Sequence, residues 1–349
     1  MIAALIKEIG LTQITAGNIL SGEKQVAETL YFGGGTPSIL ESTDLQKLFE
    51  ALKEYFIITD NTEITLECNP DDIHDAQLKD WRGLGINRLS VGIQSFSDKE
   101  LTWMNRAHTA SESITCIDRI KEAGFNNFSV DLIYGSPGQT NEDWLNNMDI
   151  VIAKDIPHIS CYALTVEPKT ALDKMIHQKK TAPVDADKQA EQFILLMNTM
   201  DGAGYEHYEI SNFAKPGMRS RHNSSYWSGE SYYGFGPSAH SFDGKKRRWN
   251  ISNNALYLRS IHNNQIPFEE EILTTTQQLN EYIMTSLRTK EGLDLEILMR
   301  RFGKDKRLQL EAICSRYIEN KKMEMQEGKL ILTKEGKLFA DGIAADLFF

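Results

Sequence analysis

The run Leu30-Tyr31-Phe32 stops at three consecutive glycines, Gly33 to Gly35, and is followed by Thr36-Pro37-Ser38. Glycine leaves the main chain bare and free to adopt left-handed conformations, so Gly34, Gly35 and Thr36 can present backbone N–H and C=O groups to a ligand. A nest of N–H groups can cradle a phosphate. Phosphate loops, however, keep a lysine or a helix N-terminus close, whereas Thr36-Pro37-Ser38 intervenes here. An open edge facing a small zwitterion is the better reading. Further polar residues stand in or just after apolar runs: Glu67 and Asn69, Gln94 and Ser95, Asp131 inside FSVDLIYG, and the stretch Tyr162 to Thr165. Glu67 as a helix cap and Gln94 as a loop partner are plain structural alternatives. Asp131 is the hardest to explain by packing, because an unpaired carboxylate in an apolar strand is costly. Brought to one end of a sheet, these groups would form an acceptor-rich pocket for a ligand carrying hydroxyls and an amine.

The elements that must position them follow from periodicity. Apolar, β-branched or aromatic runs at 30–32, 64–66, 89–93, 128–134, 159–164 and 205–210 predict strands. Between them, Leu45 to Phe56 carries apolar residues at 45, 48, 49, 52 and 56, one stripe of a helix. Asp75 to Leu84, Ser97 to Arg106, Ser111 to Ala123 and Glu142 to Lys154 follow the same pattern, and Gly85, Gly124 and Gly204 read as C-caps. This alternation predicts an α/β fold with a parallel sheet, open or closed into a barrel, whose ligands bind at the C-terminal ends of the strands. After about residue 212 the chain reads as a loop-rich stretch, and long irregular segments tend to be functional or mobile. From Thr274 it predicts three helices (274–288, 293–301, 307–319), a hairpin in MEMQEGKLILT and a last helix near 337–347, an order resembling a winged helix. The third helix mixes Arg307 and Arg316 with Glu311 and Glu319 rather than presenting a basic face, so packing or lid duty is favoured over DNA reading. The expected divisions are 1–211, 212–265 and 266–349.

A net charge of −11 argues against a nucleic-acid partner. No run of about 18 apolar residues is present to span a bilayer, and MIAALIKEIG lacks the marks of a secretion signal. The four cysteines, Cys68, Cys116, Cys161 and Cys314, are far apart and read as buried thiols in a reducing compartment. A cytoplasmic protein is expected.

Several blocks in order carry a family resemblance: YFGGGTPS, ECNP from Glu67, GINRLSVGIQSF from Gly85, MNRAHT from Met104 and VDLIYGSPGQT from Val130. The chain resembles the radical S-adenosylmethionine (SAM) proteins related to oxygen-independent coproporphyrinogen III oxidase. Its blocks YALTVEPKTAL, HYEISNFAKPG, SRHNSSYW and GPSAHSF resemble the HemW-type heme chaperone branch. The resemblance implies a partial (β/α) barrel of the radical SAM type with a C-terminal helical, winged-helix-like domain. It assigns Gly34, Gly35, Thr36, Glu67, Gln94, Arg106, Asp131 and Ala163 to SAM, Arg106 being a fixed cationic fork for a carboxylate. It assigns His222 in HNSSYW to heme, since neutral imidazole is a common iron ligand, with Tyr226 and Trp227 as flat apolar faces. Arg219, Arg221, Arg247 and Arg248 could neutralise propionates or be solvated. The implied function is a heme chaperone that binds heme and SAM and passes heme to unidentified proteins. The alternative is a porphyrin-decarboxylating radical enzyme, and a barrel enzyme with an anion nest lacks a basic residue near Gly35. The sequence departs from the family in one respect: CxxxCxxC, which holds a [4Fe-4S] cluster, is absent. The start is expected to fall inside the fold after the cluster loop, by truncation rather than natural loss. No stable cluster and no SAM cleavage are expected of this chain, and Cys68 and Cys161 cannot recreate the three-ligand spacing.

Overall fold

Polar and apolar residues alternate along the strands, and in the structure this alternation separates the two faces of one curled sheet. The structure is a computed structural model and describes residues 1–15 and 24–349. The chain runs from the helix Ile2–Thr15 into β1 (Gln25–Val26), β2 (Thr29–Phe32), β3 (Phe56–Ile57), β4 (Glu63–Cys68), β5 (Arg88–Gln94), β6 (Phe128–Tyr134), β7 (His158–Ala163), β8 (Glu206–Glu209) and β9 (Asn212–Ala214). Seven of these form a half-barrel in the order β2-β4-β5-β6-β7-β9-β8, while β1 pairs with β3 alone. The steps from β2 to β7 are parallel. The last hairpin departs from the parallel expectation: β9 is antiparallel to both β7 and β8. The reason is chain length, since Ile210-Ser211 can close a hairpin, whereas a parallel crossover needs a dozen residues or more.

The convex face is the core. Leu66, Leu89, Val91, Val130, Leu132 and Ile159 are fully buried there against Leu45, Leu78, Trp81, Ile117, Trp144 and Met148 of the covering helices. Alternate positions, Glu63, Thr65, Glu67, Arg88, Ser90, Ser129, Asp131, His158 and Ser160, give the concave face its polarity. Register aligns Glu67 with Ser90, Ser129 with His158 and Asp131 with Ser160. Buried polar groups need partners, and Ser129 Oγ lies 2.7 Å from His158 Nδ1 while His158 Nε2 lies 2.7 Å from the Tyr208 hydroxyl.

About half of the stretch expected to be loop-rich falls into helices and strands. It holds the helix Arg221–Ser228, then β10 (His240–Phe242), β11 (Lys246–Asn250) and β12 (Phe268–Ile272) in a three-stranded antiparallel sheet. Basic β11 faces acidic β12, with Arg247 opposite Glu271 and Arg248 opposite Glu270, a cross-strand pairing that stabilises sheets. The N-terminal helix is tied to this region by Glu8, a fully buried carboxylate. It accepts from Gly236 N at 2.7 Å, Tyr257 OH at 2.6 Å and Asn250 Nδ2 at 2.5 Å.

The C-terminal module has its own apolar cluster, in which Leu279, Ile283, Leu298, Leu310, Met323 and Ile343 meet. Helices Thr275–Leu287, Leu295–Phe302 and Lys304–Glu319 precede the wing, where β13 (Leu293–Asp294) pairs with β15 (Lys329–Leu332) and β15 with β14 (Met323–Gln326). Among the described residues, no helix is long and apolar enough to cross a membrane.

Candidate functional site

The strand ends of β2, β4, β5 and β6 bring Gly34, Glu67, Gln94, Arg106 and Asp131 into one neighbourhood. Gly34 N donates to Glu67 Oε2 at 3.1 Å, and the Tyr31 hydroxyl donates to Glu67 Oε1 at 2.7 Å. The Gly34 N–H therefore already has a protein partner, which corrects the reading of the glycines as a wholly open backbone edge. Their residue type has two causes. A Cβ on Gly33 would lie 2.6 Å from Tyr31 Cε1 and 2.9 Å from Glu67 Cδ, whereas no atom of the described residues lies within 4 Å of a Cβ on Gly34 or Gly35, which hold φ of +76° and +86°. Thr36, half-buried, precedes the short helical turn Pro37–Ile39.

At the end of β5 the register with β6 shifts between Val91 and Gln94, and Gln94 takes φ of +69°. A positive φ outside glycine is uncommon and marks a constrained position. Arg106 reaches back across this bulge, its Nη2 donating to Asn69 Oδ1 and to Gly92 O, both at 2.9 Å. Its Nε is buried with no hydrogen-bond partner among the described residues, an unmade bond that a ligand carboxylate would satisfy. Asp131 is half-buried on the concave face, and its carboxyl is pushed up to about 7. Desolvation is the main cause and the Glu67 charge adds to it, while Ser160, Arg88 and Ser90 pull the other way. Ala163 ends β7 with its side chain packed on the convex core, so only its backbone is available to a ligand.

His222 sits elsewhere, at the edge of the half-barrel. It lies in the first turn of the helix Arg221–Ser228, not in an irregular loop. Ser220 caps that helix through Asn223 N at 3.2 Å, and Glu63, buried on β4, accepts from Arg221 N at 3.1 Å and His222 N at 2.9 Å. A carboxylate at a helix N-terminus also meets the positive end of the macrodipole. Both nitrogens and one face of the His222 ring are engaged. Thr29 Oγ1 lies 2.8 Å from Nδ1, the Tyr226 hydroxyl 3.2 Å from Nε2, and Tyr31 stacks on the ring at 4.7 Å between centroids. Burial lowers its pKa, with Glu63 opposing, so the ring is neutral at neutral pH. Beside it opens a cleft of about 2390 Å³ that reaches Gly33, Gly34 and Thr36 and is lined by Tyr226, Trp227, Tyr232 and Phe235. Glu67, Gln94, Arg106 and Asp131 do not line it, so the strand-end group and the cleft adjoin without merging.

The flat-face reading needs correction in part. Trp227 carries the Arg288 guanidinium over its ring at 5.1 Å, and Tyr226 stands edge-on to both His222 and Tyr232. The four arginines are not free cations either: Arg219 pairs with Glu206 and Glu291, Arg221 with Glu28, Arg247 with Glu281, and Arg248 lies 4.8 Å over Phe268. Sequence reasoning missed Thr29, Tyr31 and Glu63 as site residues. Thr29 and Tyr31 share the period-two face of Gly33, and Glu63 that of Glu67, a signal that was present in the sequence.

The family resembled by the sequence implies a [4Fe-4S] cluster held by clustered thiolates, and the residues of this chain do not fit one. Cys68, Cys116, Cys161 and Cys314 are all free and buried. Burial pushes the Cys116 and Cys314 thiols up to about 12 and those of Cys68 and Cys161 well above the ordinary thiol range. Among the described residues no three His, Cys, Asp or Glu side chains are grouped to hold a metal ion, and residues 16–23, AGNILSGE, contain no cysteine.

Comparison with known proteins agrees with this architecture. Residues 17–151 match the Radical SAM superfamily, and residues 273–339 match the HemN C-terminal domain. The fold is similar to that of coproporphyrinogen III oxidase (HemN) from Escherichia coli, with a TM-score of 0.82 over 99% of this chain and 82% of that one. At 21% identity that likeness shows the fold alone. The class is thus a radical SAM-type half-barrel with a HemN-type C-terminal module. The heme chaperone HemW of Bacillus subtilis is 33% identical over 318 residues, covering 90% of this chain and 84% of that protein. The heme chaperone HemW of Mycobacterium tuberculosis is 30% identical over 322 residues, covering 91% and 80%. The chain belongs to the HemW heme chaperone family.

Proposed function

We propose that this chain binds heme through His222 and passes it to other proteins in the cytoplasm, and that its strand-end group binds SAM. The observation that carries the heme reading is the neutral, half-buried imidazole of His222 set beside an aromatic-lined cleft. The names of the relatives point the same way. The heme receivers are other proteins of unspecified identity, and the free buried thiols accord with a reducing compartment. For SAM, the unpartnered Arg106 Nε suits the methionyl carboxylate. Gln94 and Asp131 suit ribose hydroxyls, and Gly34, Gly35, Thr36, Glu67 and Ala163 form the surrounding wall. Bound SAM supplies a sulfonium centre; this chain's residues orient it and exclude water, and no radical step is assigned to them. No observation favours the porphyrin-decarboxylating alternative, whose solved relative shares only the fold.

The test is titration of the full chain and of His222→Ala with hemin, followed by Soret absorbance, and with SAM by calorimetry. Loss of the imidazole is expected to weaken hemin binding at least about tenfold and to leave SAM binding unchanged. Equal hemin affinity in the variant would remove the heme assignment; SAM heat absent from both proteins would remove the other.

A further inference from the structure

The two ring nitrogens of His222 have different partners, and the difference matters for a metal ligand. A phenol is a better hydrogen-bond donor than acceptor, whereas a threonine hydroxyl serves equally as either. The satisfied arrangement therefore has the Tyr226 hydroxyl, 3.2 Å from Nε2, donating to that nitrogen's lone pair. Nδ1 then carries the proton and donates to Thr29 Oγ1 at 2.8 Å. Tyr226 is 41% exposed and lines the cleft, while Thr29 is fixed in β2 by its ladder with β4. Both contacts border the cleft, but one is made by an exposed helix side chain and the other by a residue built into the sheet.

On the reading that His222 receives heme, we propose that Thr29 is a positioning residue holding the Nδ1–H tautomer, and that Tyr226 is a removable cap on the iron-facing Nε2. One lone pair cannot serve both a phenol proton and an iron. Heme capture therefore requires the Tyr226 side chain to leave, and heme release is assisted when it returns. The Nδ1–H to Thr29 bond persists throughout and keeps the ring aimed, as the outer hydrogen bond of a metal-ligating histidine does. Stacking on Tyr31 holds the ring plane in the same way.

The experiment uses the full chain with hemin as ligand and compares Tyr226→Phe, Thr29→Val and His222→Ala. Removing the competing hydrogen bond should tighten hemin binding roughly threefold to tenfold in Tyr226→Phe. Thr29→Val, isosteric and without a hydroxyl, should weaken it about tenfold or more. In the ligand-free chain, nitrogen-15 shifts of the His222 ring should report the Nδ1–H tautomer and a mixed state in Thr29→Val, a change that mere loss of packing would not cause. Equal or weaker hemin binding by Tyr226→Phe overturns the cap, as does an Nε2–H tautomer in the parent. If His222→Ala binds hemin as the parent does, the heme reading itself falls and this proposal with it. If His222→Ala loses hemin while Tyr226→Phe is neutral, only the cap falls.

Discussion

The two candidate sites border the same sheet and differ in what is already satisfied. At the strand ends, Arg106 Nε lacks a partner and Asp131 is held partly desolvated, so the protein has left bonds unmade. At His222 every polar atom of the ring has a partner, and even the N–H of the residue is taken by Glu63. A ligand entering the first site completes bonds; a ligand entering the second must displace one. The first arrangement suits a molecule that stays, the second a molecule that is to be handed on. Tyr31 touches both, stacked on His222 and donating to Glu67.

The largest effect is expected where this comparison depends on a single carboxylate. Glu63 is 5% exposed and holds the helix of His222 by two N–H bonds, and its charge also supports the fully buried Arg88. Glu63→Gln places an amide where only an acceptor fits and leaves Arg88 short of its counter-charge. A loss of about 2–4 kcal/mol in unfolding free energy is expected, measured by urea denaturation, with hemin affinity falling too. A loss under about 1 kcal/mol, near the net value of one ordinary hydrogen bond, would mean that the helix is held elsewhere and that the His222 site is not preorganised.

That dependence also explains what was legible in the sequence. The strand Phe128–Tyr134 and the helix Asp75–Leu84 fall where periodicity places them, because their apolar stripes are local. Glu67, Gln94 and Asp131 were readable as a set because strand order alone carries them to one rim. The helix Arg221–Ser228 was not readable: RHNSSYWS has no apolar stripe, and its N-terminal carboxylate comes from Glu63, 158 residues away from Arg221. Glu8 was hidden for the same reason, its donors lying more than 220 residues along the chain. The three-stranded sheet of KRRWN and FEEEI is paired by charge and not by alternating hydrophobicity, so no strand signal stood out.

A second effect, readable only against pH, tests whether the strand-end site is held ready at a cost. Asp131 has a folded pKa raised to about 7 from an ordinary value of 3.8. The native state thus binds that proton more tightly than the unfolded chain. The stability this contributes is fully present below about pH 4 and is lost as pH rises through about 7. Asp131→Asn has no proton to lose, so its melting temperature relative to the parent should climb between those pH values and level off above. A constant difference across the range would show that Asp131 is ordinarily solvated and that the pocket stores nothing for a ligand.

The smallest effect separates the two reasons for glycine in the same loop. Gly34 has φ of +76° with no atom of the described residues within 4 Å of a Cβ placed there, so none of them excludes a methyl group. Gly34→Ala should therefore lower stability only by the left-handed strain, about 1–2 kcal/mol. Its effect on SAM binding should be larger than that strain accounts for, because the methyl would stand where the amino-acid end of the ligand passes. Calorimetry with SAM and urea denaturation on the same variant give the two quantities. If the affinity is unchanged while the stability drops, the glycine serves the turn alone. The ligand then lies deeper, among Gln94, Arg106 and Asp131, and the contrast between a waiting site and a satisfied one rests on those three side chains.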